Sequence, residues 1–534
     1  MTNQDSNKDN IQNTNQDNIQ STNQDNIQNT NQDNIQDPNQ NPRQDTKSDP
    51  MEKIRDFVFE YKVVLLFLII TAFAFWASGM TTVVFFSELF TRFGRNTFMV
   101  LALLIPVIAG LGLNFGIVIG AMAAQISMFL VVLWGGSGIS GIFFIALLAL
   151  PIAIVLGWLI GKLFNKMKGS EMIGGLVARH FAEGFYQFLF LFVFGGVITI
   201  NNARLMTSTG VGVINAIDLD VSPTYMRQAL DNISMFHILN IGFFIMVAVT
   251  VIIVAYRLIK KQPLNMFGPK GLIKLLIPTG LLAIGYILTW TVQPFLFFTY
   301  QSRLNGVYAS RLAAIVLAII VLYRIVMEHR TINKLPTKRL VQLGLIAVGF
   351  LITLHPEVAN GLAHVGIPVF TYMIVGGLCL FIKWFLTTRL GQNMRTVGHD
   401  RAVATAAGIN VDRTRIIAMI MSTVLAAWGQ IIITQNFGVM ITYGAHGEVG
   451  VFAIAALLVG GATVSKASVK HAIIGVLIFH GLVIVAPMAG NRLMGSALIG
   501  EYFRVFMTNA VIAFALIMHA WTRVRKRKVG VEKG

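Results

Sequence analysis

The sequence predicts an all-α polytopic membrane protein with about 14 transmembrane helices, each needing about 20 apolar residues, and with both termini in the cytoplasm. Two observations of composition favour this class. Of the 534 residues 55% are hydrophobic and only 12% are charged, whereas about a quarter of the residues of a soluble domain are charged. A third observation is that Lys and Arg lie in short segments beside apolar stretches, as they do in cytoplasmic loops. Membrane topology therefore accounts for the net charge of +18, and we expect no nucleic acid partner.

Residues 1–50 form a separate segment. The octads NTNQDNIQ and STNQDNIQ repeat from Asn13 to Gln36, with one Ile in each. So few apolar side chains cannot bury a core, and polar repeats of this kind remain disordered. The segment also lacks the apolar stretch of a signal peptide. We therefore predict a disordered cytoplasmic tail at 1–50.

Apolar segments follow one another along the rest of the chain. Candidate spans begin near Val63, Thr97, Ile117, Ile142, Phe185, Phe236, Leu272, Leu312, Leu340, Val369, Ile416, Val451, Ala472 and Val505. The second and third candidates run together, with only Gly112, Asn114 and Gly116 between them. This region is therefore predicted to be either two spans or one broken, re-entrant unit.

Basic residues set the predicted orientation. With the tail inside, the inner loops contain Lys162, Lys166, Lys168, Arg257, Lys260, Lys261, Lys270, Lys274, Arg324, Arg330, Lys334, Lys338, Arg339 and the terminal run from Arg523. The outer loops contain Arg204, Arg227, Arg303 and Arg492. This asymmetry follows the positive-inside rule, and two cytoplasmic termini require an even number of spans.

A polar, basic stretch from Gly391 to Arg413 lies between two apolar segments. Asp400 is placed as a helix N-cap, because its carboxylate can accept hydrogen bonds from the next turn. The run Arg401–Ala407 contains no helix breaker, and Gly408 follows where a left-handed residue would end the helix. The pattern predicts a capped helix of about two turns.

One face of that predicted helix carries only small side chains. Ala402, Thr405 and Ala406 share it at helical spacing. A short, flat-faced, capped helix between two spans suits docking into a groove on a soluble partner. An ordinary connecting loop is the alternative interpretation.

The same stretch resembles a known family. Gly398–Val403, followed by Gly408–Val411, is similar to the cytoplasmic coupling loop of ABC-importer permeases for simple sugars, nucleosides and branched-chain amino acids. The family pattern is approximately G-x-N-x-x-A-A, then G-I-x-V. Here Asp400 stands in place of the usual Asn, and Val403 in place of the second Ala. The resemblance implies that an ATP-hydrolysing subunit is contacted by Gly398, Asp400, Ala402, Thr405, Ala406, Gly408 and Ile409.

Three further segments carry the resemblance. Gly112–Gly116, with Gly120, looks like the family's broken-span motif, although the acidic residue and Gln of the nucleoside branch are missing. Lys168–Ile173 resembles an inner-loop motif of that branch. Ala453–Thr463 looks like the A-I-A-A…L-G-G-T signature. The matches divide the chain into the tail, an N-terminal permease block at 51–259, an unmatched insert of extra spans at 260–367, and a C-terminal permease block at 368–534 that includes the loop 391–413.

Three glycine clusters allow two interpretations. They are Gly112/Gly116/Gly120, Gly376/Gly377 and Gly460/Gly461. Small residues let helices pack closely, or they break spans and expose backbone groups to a translocation path. On the second interpretation the substrate path includes Asn114, Gly116, Gly120, Gly460 and Gly461.

Polar residues inside spans are costly and often functional, although interhelical hydrogen bonds are the simpler explanation. They are Asn114, Gln125, Gln293, Gln430, Asn436 and His480. We expect Arg179, His180 and Glu183 to be interfacial, with Glu183 able to pair with Arg179 one helical turn earlier.

No motif for catalysis stands out. The chain has no phosphate-binding P-loop, no H-E-x-x-H and no nucleophile elbow. The single Cys379 excludes an intramolecular disulfide and any cysteine-based metal site. We therefore expect no catalytic residue, no cofactor and no metal site, and we expect ATP to be hydrolysed on a partner chain.

The resemblance implies the permease subunit of an ATP-driven ABC importer for a small polar solute, a sugar or nucleoside, in the bacterial plasma (inner) membrane. The implied partners are a cytoplasmic ATP-binding subunit, a second permease subunit in a homo- or heterodimer, an extracytoplasmic substrate-binding protein, and membrane lipid. Two alternatives remain. An ion-gradient-driven secondary transporter would need acidic residues near the midplane. A membrane-embedded enzyme or scaffold would need a catalytic cluster at one membrane face.

Overall fold

A computed structural model describes residues 62–260, 273–291, 300–332 and 337–531. Of the two units into which the chain divides, Lys62–Gly534 contains all of these residues. The octad-repeat tail predicted at 1–50 lies outside the described residues, and so does Gln293. The architecture below is that of the second unit.

Helices make up most of the described chain. In order they are α1 (Lys62–Ser78), α2 (Thr82–Ala102), α3 (Leu104–Ile108), α4 (Ile117–Leu133), α5 (Gly138–Lys166), α6 (Glu171–Phe188) with a π-helical continuation (Leu189–Val197), α7 (Met235–Ile259), α8 (Ile273–Thr291), α9 (Gly306–Ile332), α10 (Thr337–Ile352), α11 (Pro356–Ala363), α12 (Val369–Phe385), α13 (Arg389–His399), α14 (Arg401–Ala406), α15 (Val411–Phe437), α16 (Ala445–Val459), α17 (Val469–Met494) and α18 (Ala497–Val531).

Two short antiparallel ladders join distant loops. Strand β1 (Ala216–Asp218) pairs with β4 (Val439–Ile441), and β2 (Arg303–Asn305) pairs with β3 (Gly366–Pro368). Each strand is three residues long, so the ladders fix loops and do not form a sheet core. The β1–β4 ladder lies just beyond the C-terminal end of α15.

The prediction of an all-α membrane protein is confirmed. Within the described ranges seven helices are long and apolar enough to cross a membrane, or up to nine if each of two bent pairs is one span. Four shorter apolar helices accompany them: Val63–Ser78, Ile117–Leu133, Leu276–Thr291 and Ala445–Val459. The predicted number of about 14 spans is therefore not confirmed, because several apolar segments fold into helices too short or too bent to count as spans.

Helix α15 is central in the bundle and packs against α2, α4 and α5. A Cβ at Gly161 of α5 would lie 2.9 Å from the Cα of Ile416, and one at Gly120 of α4 would lie 2.5 Å from the carbonyl oxygen of Thr423. Small residues therefore bring both neighbours onto the α15 backbone, as is typical of membrane helix interfaces.

Candidate functional site

The loop predicted to couple to a partner contains two helices. Its first half is α13, which forms a bent pair with α12 at an angle of 76°. The Thr388 hydroxyl caps α13 by accepting from the amide of Gly391 at 3.3 Å. Its second half is α14, which the sequence predicted. We did not predict α13, because Gly391 and Gly398 within it are unfavourable in a helix interior.

The predicted N-cap of α14 is confirmed. Asp400 has extended backbone angles, and its Oδ1 accepts from the amides of Ala402 at 2.7 Å and Val403 at 3.2 Å. The carboxylate thereby satisfies amides that have no partner within the helix.

The predicted C-terminal end of α14 is also confirmed. Gly408 has a φ of +73°. Its amide donates to the carbonyl of Thr405 at 2.9 Å, and the amide of Ile409 donates to that of Ala404 at 3.0 Å. These two bonds form a Schellman motif, which sets the direction in which the chain leaves α14.

The small-residue face of α14 is open. Ala402, Thr405 and Ala406 are exposed, whereas Ala404 on the opposite side is fully buried. The Thr405 hydroxyl donates to the carbonyl of Arg401 at 2.9 Å, so its proton is already used in a hydrogen bond within α14. The exposed face is therefore flat and presents few unpaired polar groups.

Gly398 holds α13 against the break between α3 and α4. A Cβ on Gly398 would overlap the carbonyl oxygen of Ile108, and one on Gly110 would lie 2.8 Å from the Cα of Gly398. Gly110 has a φ of +73°, which favours glycine. Two glycines thus allow backbone-to-backbone contact, so Gly398 contributes to the base of the loop and not to its exposed face.

Glu171 at the start of α6 bonds one arginine in α14 and one in α15. Its Oε1 accepts from Arg401 at 2.5 Å and from Arg415 at 2.6 Å. Arg415 is fully buried and also donates to the carbonyl of Phe164 at 3.3 Å. Arg401 also donates to the carbonyl of Gly110 at 3.3 Å. One carboxylate therefore ties α14 and α15 to α6, and we call these three charged side chains the Glu171 clamp.

The predicted broken span is present. The chain leaves α3 at Ile108 and enters α4 at Ile117, without helix between them. Asn114 in this break is fully buried, and its Nδ2 donates to the Ser422 hydroxyl of α15 at 3.3 Å. Its Oδ1 has no hydrogen-bond partner among the described residues. A buried amide oxygen without a donor is unusual, which makes Asn114 the most distinctive of the predicted path residues.

The other predicted path residues lie in close packing contacts. Gly116 is beside Asn114, since its Cβ would lie 2.9 Å from Asn114 Oδ1. Gly120 packs on α15, and a Cβ on Gly460 would overlap the carbonyl oxygen of His471 in α17. Gly461 follows the C-terminal end of α16 and has a φ of +90°. The structure therefore groups Asn114 with Gly116 and places Gly460 and Gly461 at a separate contact between α16 and α17.

A polar cluster that the sequence did not indicate joins α4, α6 and α16. His446 is fully buried, and its Nε2 lies 2.9 Å from Glu183 Oε2. The Tyr186 hydroxyl donates to Gln125 Oε1 at 3.0 Å, and its ring packs 4.6 Å from that of His446. We expected Glu183 to be interfacial and able to pair with Arg179. Its Oε2 instead bonds His446, which is 263 residues away, and its Oε1 accepts from Gln187 at 3.4 Å.

Parts of the chain are similar to a known family and to a curated protein. The family described as branched-chain amino acid transport system / permease component matches residues 237–516. That range includes α13 and α14 and also the segment 260–367. The probable ABC transporter permease protein YphD of Escherichia coli (strain K12) is 28% identical over 166 residues, which are 30% of this chain and 47% of that relative. The chain thus spans about half the length of the curated relative that it matches. No solved structure matches significantly.

Proposed function

Because the chain belongs to the family of permease components of branched-chain amino acid transport systems, we propose that it is the membrane-spanning subunit of an ATP-driven importer for a small polar solute, with a sugar or nucleoside as the class that its motifs favour. The single observation that carries this proposal is the open face of α14, held on a rigid base. Ala402 and Ala406 are exposed, while Arg401 at the start of the helix is bonded to Glu171.

The base of α14 is suited to transmit force. An ATP-binding subunit that docks on α14 and moves it would displace Arg401, and through Glu171 it would displace Arg415. Arg415 is the fifth residue of α15, which spans about 40 Å at 1.5 Å per residue. Movement at the Glu171 clamp would therefore reach the far end of the bundle through one rigid helix.

The break at 109–116 is the element that such movement would rearrange. Gly110 contacts Gly398, and a Cβ on Gly112 would touch Val464 at 3.3 Å and Met172 at 3.4 Å. The break is thus packed between α13, α6 and the loop before α17. We propose that it forms the inner gate of an alternating-access path, with Asn114 facing the path when the gate is open.

The remaining partners follow from this proposal. The ATP-binding subunit would be cytoplasmic. On this proposal α14 and both termini lie on the cytoplasmic side of a bacterial plasma (inner) membrane. A second permease subunit and an extracytoplasmic substrate-binding protein would complete the importer, within membrane lipid.

A secondary transporter is the second candidate, and one observation favours it. Asp231 is fully buried and accepts from Asn436 of α15 at 2.5 Å and from the hydroxyl of Thr371. A buried carboxylate can bind a coupling ion or proton. We keep the importer proposal because Asp231 is already hydrogen-bonded on both oxygens.

Purification of the chain from its native membranes separates the two candidates. We expect an ATP-binding subunit to co-purify, and the complex to hydrolyse ATP after reconstitution into liposomes. Purification of the chain without any ATPase, from membranes in mild detergent, would contradict the importer and leave the ion-driven candidate.

Accessibility of position 114 tests the gate. In a Cys379→Ser background, Asn114→Cys should be protected from a small polar thiol reagent in the absence of nucleotide, because the Asn114 side chain is fully buried in this structure. It should react when the ATPase cycles. Ser127→Cys is the matched control, since Ser127 is fully buried in α4 and distant from the break. Protection of position 114 under all nucleotide conditions would contradict its place in the path.

A further inference from the structure

A groove lies at the side of the bundle between α5 and α12. Its volume is about 760 Å³, which falls within the range of about 300–1,000 Å³ that is typical of small-molecule pockets. Helix α5 packs along α15, whereas α12 packs on α2. The groove occupies the space between these two pairs, so that α5 and α12 form its walls and α15 its floor.

The side chains that the structure describes around the groove are all apolar. Among them only the indole of Trp428 has an N–H group, and its Nε1 already donates to the carbonyl of Ala146 at 3.3 Å. A pocket for a polar ligand has a few polar groups that fix the ligand's orientation, and a polar group buried without a partner is costly. The groove therefore suits a ligand that is apolar along its whole length, and not the polar cargo of the proposed importer.

The length of the groove matches the depth of one membrane leaflet. Its lining on α15 extends from Ile420 to Ile432, which corresponds to about 18 Å at 1.5 Å per residue. Its lining on α12 extends from Phe370 to Phe381, or about 17 Å on the same basis. One leaflet contributes about 15 Å to a hydrocarbon core that is about 30 Å thick.

Charged residues of the three helices lie beyond one end of the groove. Lys162 and Lys166 follow the lining part of α5, Lys383 follows that of α12, and Asp412 and Arg415 precede that of α15. The groove therefore occupies the uncharged part of these helices. No water reaches the protein surface at the corresponding depth of a bilayer, so hydrocarbon is the medium that the groove faces.

The groove is recessed, unlike an ordinary lipid-facing surface. The floor residues Leu425 and Ile432 are buried, whereas Phe143 and Trp428 at the rim are 64% and 37% exposed. A cavity left empty loses dispersion contacts on its lining, and an apolar cavity stays dry and accepts apolar ligands instead of water. A hydrocarbon chain that enters the groove would restore those contacts.

Gly377 leaves room inside the groove. It lines the groove, whereas its neighbour Gly376 does not. Among the described atoms outside α12's own nearby backbone, none lies within 4 Å of a Cβ built at Gly377. The pair Gly376/Gly377 therefore holds no helix in close contact, and it does not break α12, which continues through it to Phe385. A glycine at 377 instead widens the groove along α12.

We propose that this groove binds one acyl chain of a bilayer phospholipid. The chain would lie along α12 beside Gly377 and contact the floor formed by α15, adding packing between these two helices. A helix from a second copy fits less well, because membrane helix interfaces use small residues, and the rim carries Phe143, Phe381 and Trp428. The proposal goes beyond the importer function and does not depend on it.

Quenching of Trp428 by brominated lipid tests the groove. The full-length chain is purified in glyco-diosgenin, a steroidal detergent without an alkyl chain, and titrated with phosphatidylcholine that has bromine atoms on its acyl chains. Bromine quenches an indole that it contacts, and the difference between the wild type and Trp428→Phe isolates the signal of Trp428. We expect saturable quenching, and one bound phospholipid per chain by native mass spectrometry.

The two neighbouring glycines provide the decisive variant and its matched control. Gly377→Phe should lower the affinity for phospholipid at least tenfold, because the ring would occupy the groove. Gly376→Phe should bind like the wild type, since Gly376 is exposed outside the groove. Neither change should lower the temperature of thermal unfolding, because both Cβ positions are open among the described residues and Phe is more favourable than Gly in a helix.

Three outcomes would overturn the proposal. The first is the absence of saturable Trp428 quenching, or equal affinity in Gly377→Phe and the wild type. The second is quenching by brominated stearic acid without quenching by the phospholipid, which would assign the groove to a free fatty acid. The third is a dimer without bound lipid that only Gly377→Phe disrupts, which would make the groove a contact between two copies of the chain.

Discussion

The Glu171→Gln variant is expected to have a free energy of unfolding about 3 kcal/mol lower than that of the wild type, because removing one partner of a buried ion pair leaves the other charge uncompensated. Arg415 is that charge, since its side chain is fully buried and bonds Glu171 at 2.6 Å. The variant should also lose coupling, because Arg401 and Arg415 no longer share one carboxylate. Thermal unfolding in detergent measures the first effect, and ATP hydrolysis by the reconstituted complex measures the second.

A matched variant separates the buried clamp from ordinary surface charge. Asp412→Asn removes a carboxylate at the same end of the bundle, where Asp412 pairs with Lys168 at 2.7 Å and both side chains are about half exposed. Its effect should be below about 1 kcal/mol. The double variant Glu171→Gln, Arg415→Met should regain most of the stability but not the coupling. Equal free energies of unfolding for Glu171→Gln and Asp412→Asn would show that the Glu171 clamp does not stabilise the fold.

The Ala406→Trp variant is expected to weaken binding of the ATP-binding subunit at least tenfold, which corresponds to about 1.4 kcal/mol. A large ring would stand on the flat face that we propose to dock into a groove of the ATP-binding subunit. The thermal unfolding of the permease alone should be unchanged, because Ala406 is exposed. Co-purification from the same detergent extract measures the loss, with Ala406→Ser as the small-residue control. Normal co-purification of the tryptophan variant would remove α14 from the interface.

Gly408 allows a second test of the same helix by a different physical cause. Among the described residues other than its two chain neighbours, no heavy atom lies within 4 Å of a Cβ built at Gly408, so a substitution there is resisted mainly by the positive φ. That conformation costs a residue with a Cβ roughly 1–2 kcal/mol. Gly408→Val should therefore misdirect α14 and reduce co-purification, whereas Gly408→Asn should retain it, because Asn adopts the left-handed region. Loss of the ATPase in both variants would indicate that glycine is needed for another reason.

Features that depend on neighbours in sequence could be predicted. Asp400 and Gly408 cap α14 through atoms within three residues of themselves, and capping chemistry is local. The break around Asn114 was also visible, because glycines and a polar residue interrupt an apolar stretch. The helix α13 was missed since its two glycines are tolerated only where Gly391 packs on the backbone of Phe385 and Leu386, and Gly398 on that of Ile108.

Features that depend on distant contacts could not be predicted. Glu171 meets Arg401 and Arg415 across separations of 230 and 244 residues, and His446 meets Glu183 across a similar distance in sequence. No local pattern distinguishes these side chains from ordinary loop or interfacial charges. Likewise, a glycine that lines a path and a glycine that packs a helix look the same in sequence, and Gly460 shows close packing against α17.

Cross-linking from α14 tests the central claim most directly. In a Cys379→Ser background, Ala406→Cys is labelled with a thiol-reactive benzophenone in native membranes and illuminated, and the adduct is identified by mass spectrometry. Trp134→Cys is the control, because Trp134 is 68% exposed and lies at the end of α4 farthest from the break. We predict an adduct between position 406 and a polypeptide that contains a phosphate-binding P-loop, and no such adduct at position 134. An absent adduct at position 406, or the same adduct at both positions, would contradict the proposal that α14 couples this permease to an ATPase.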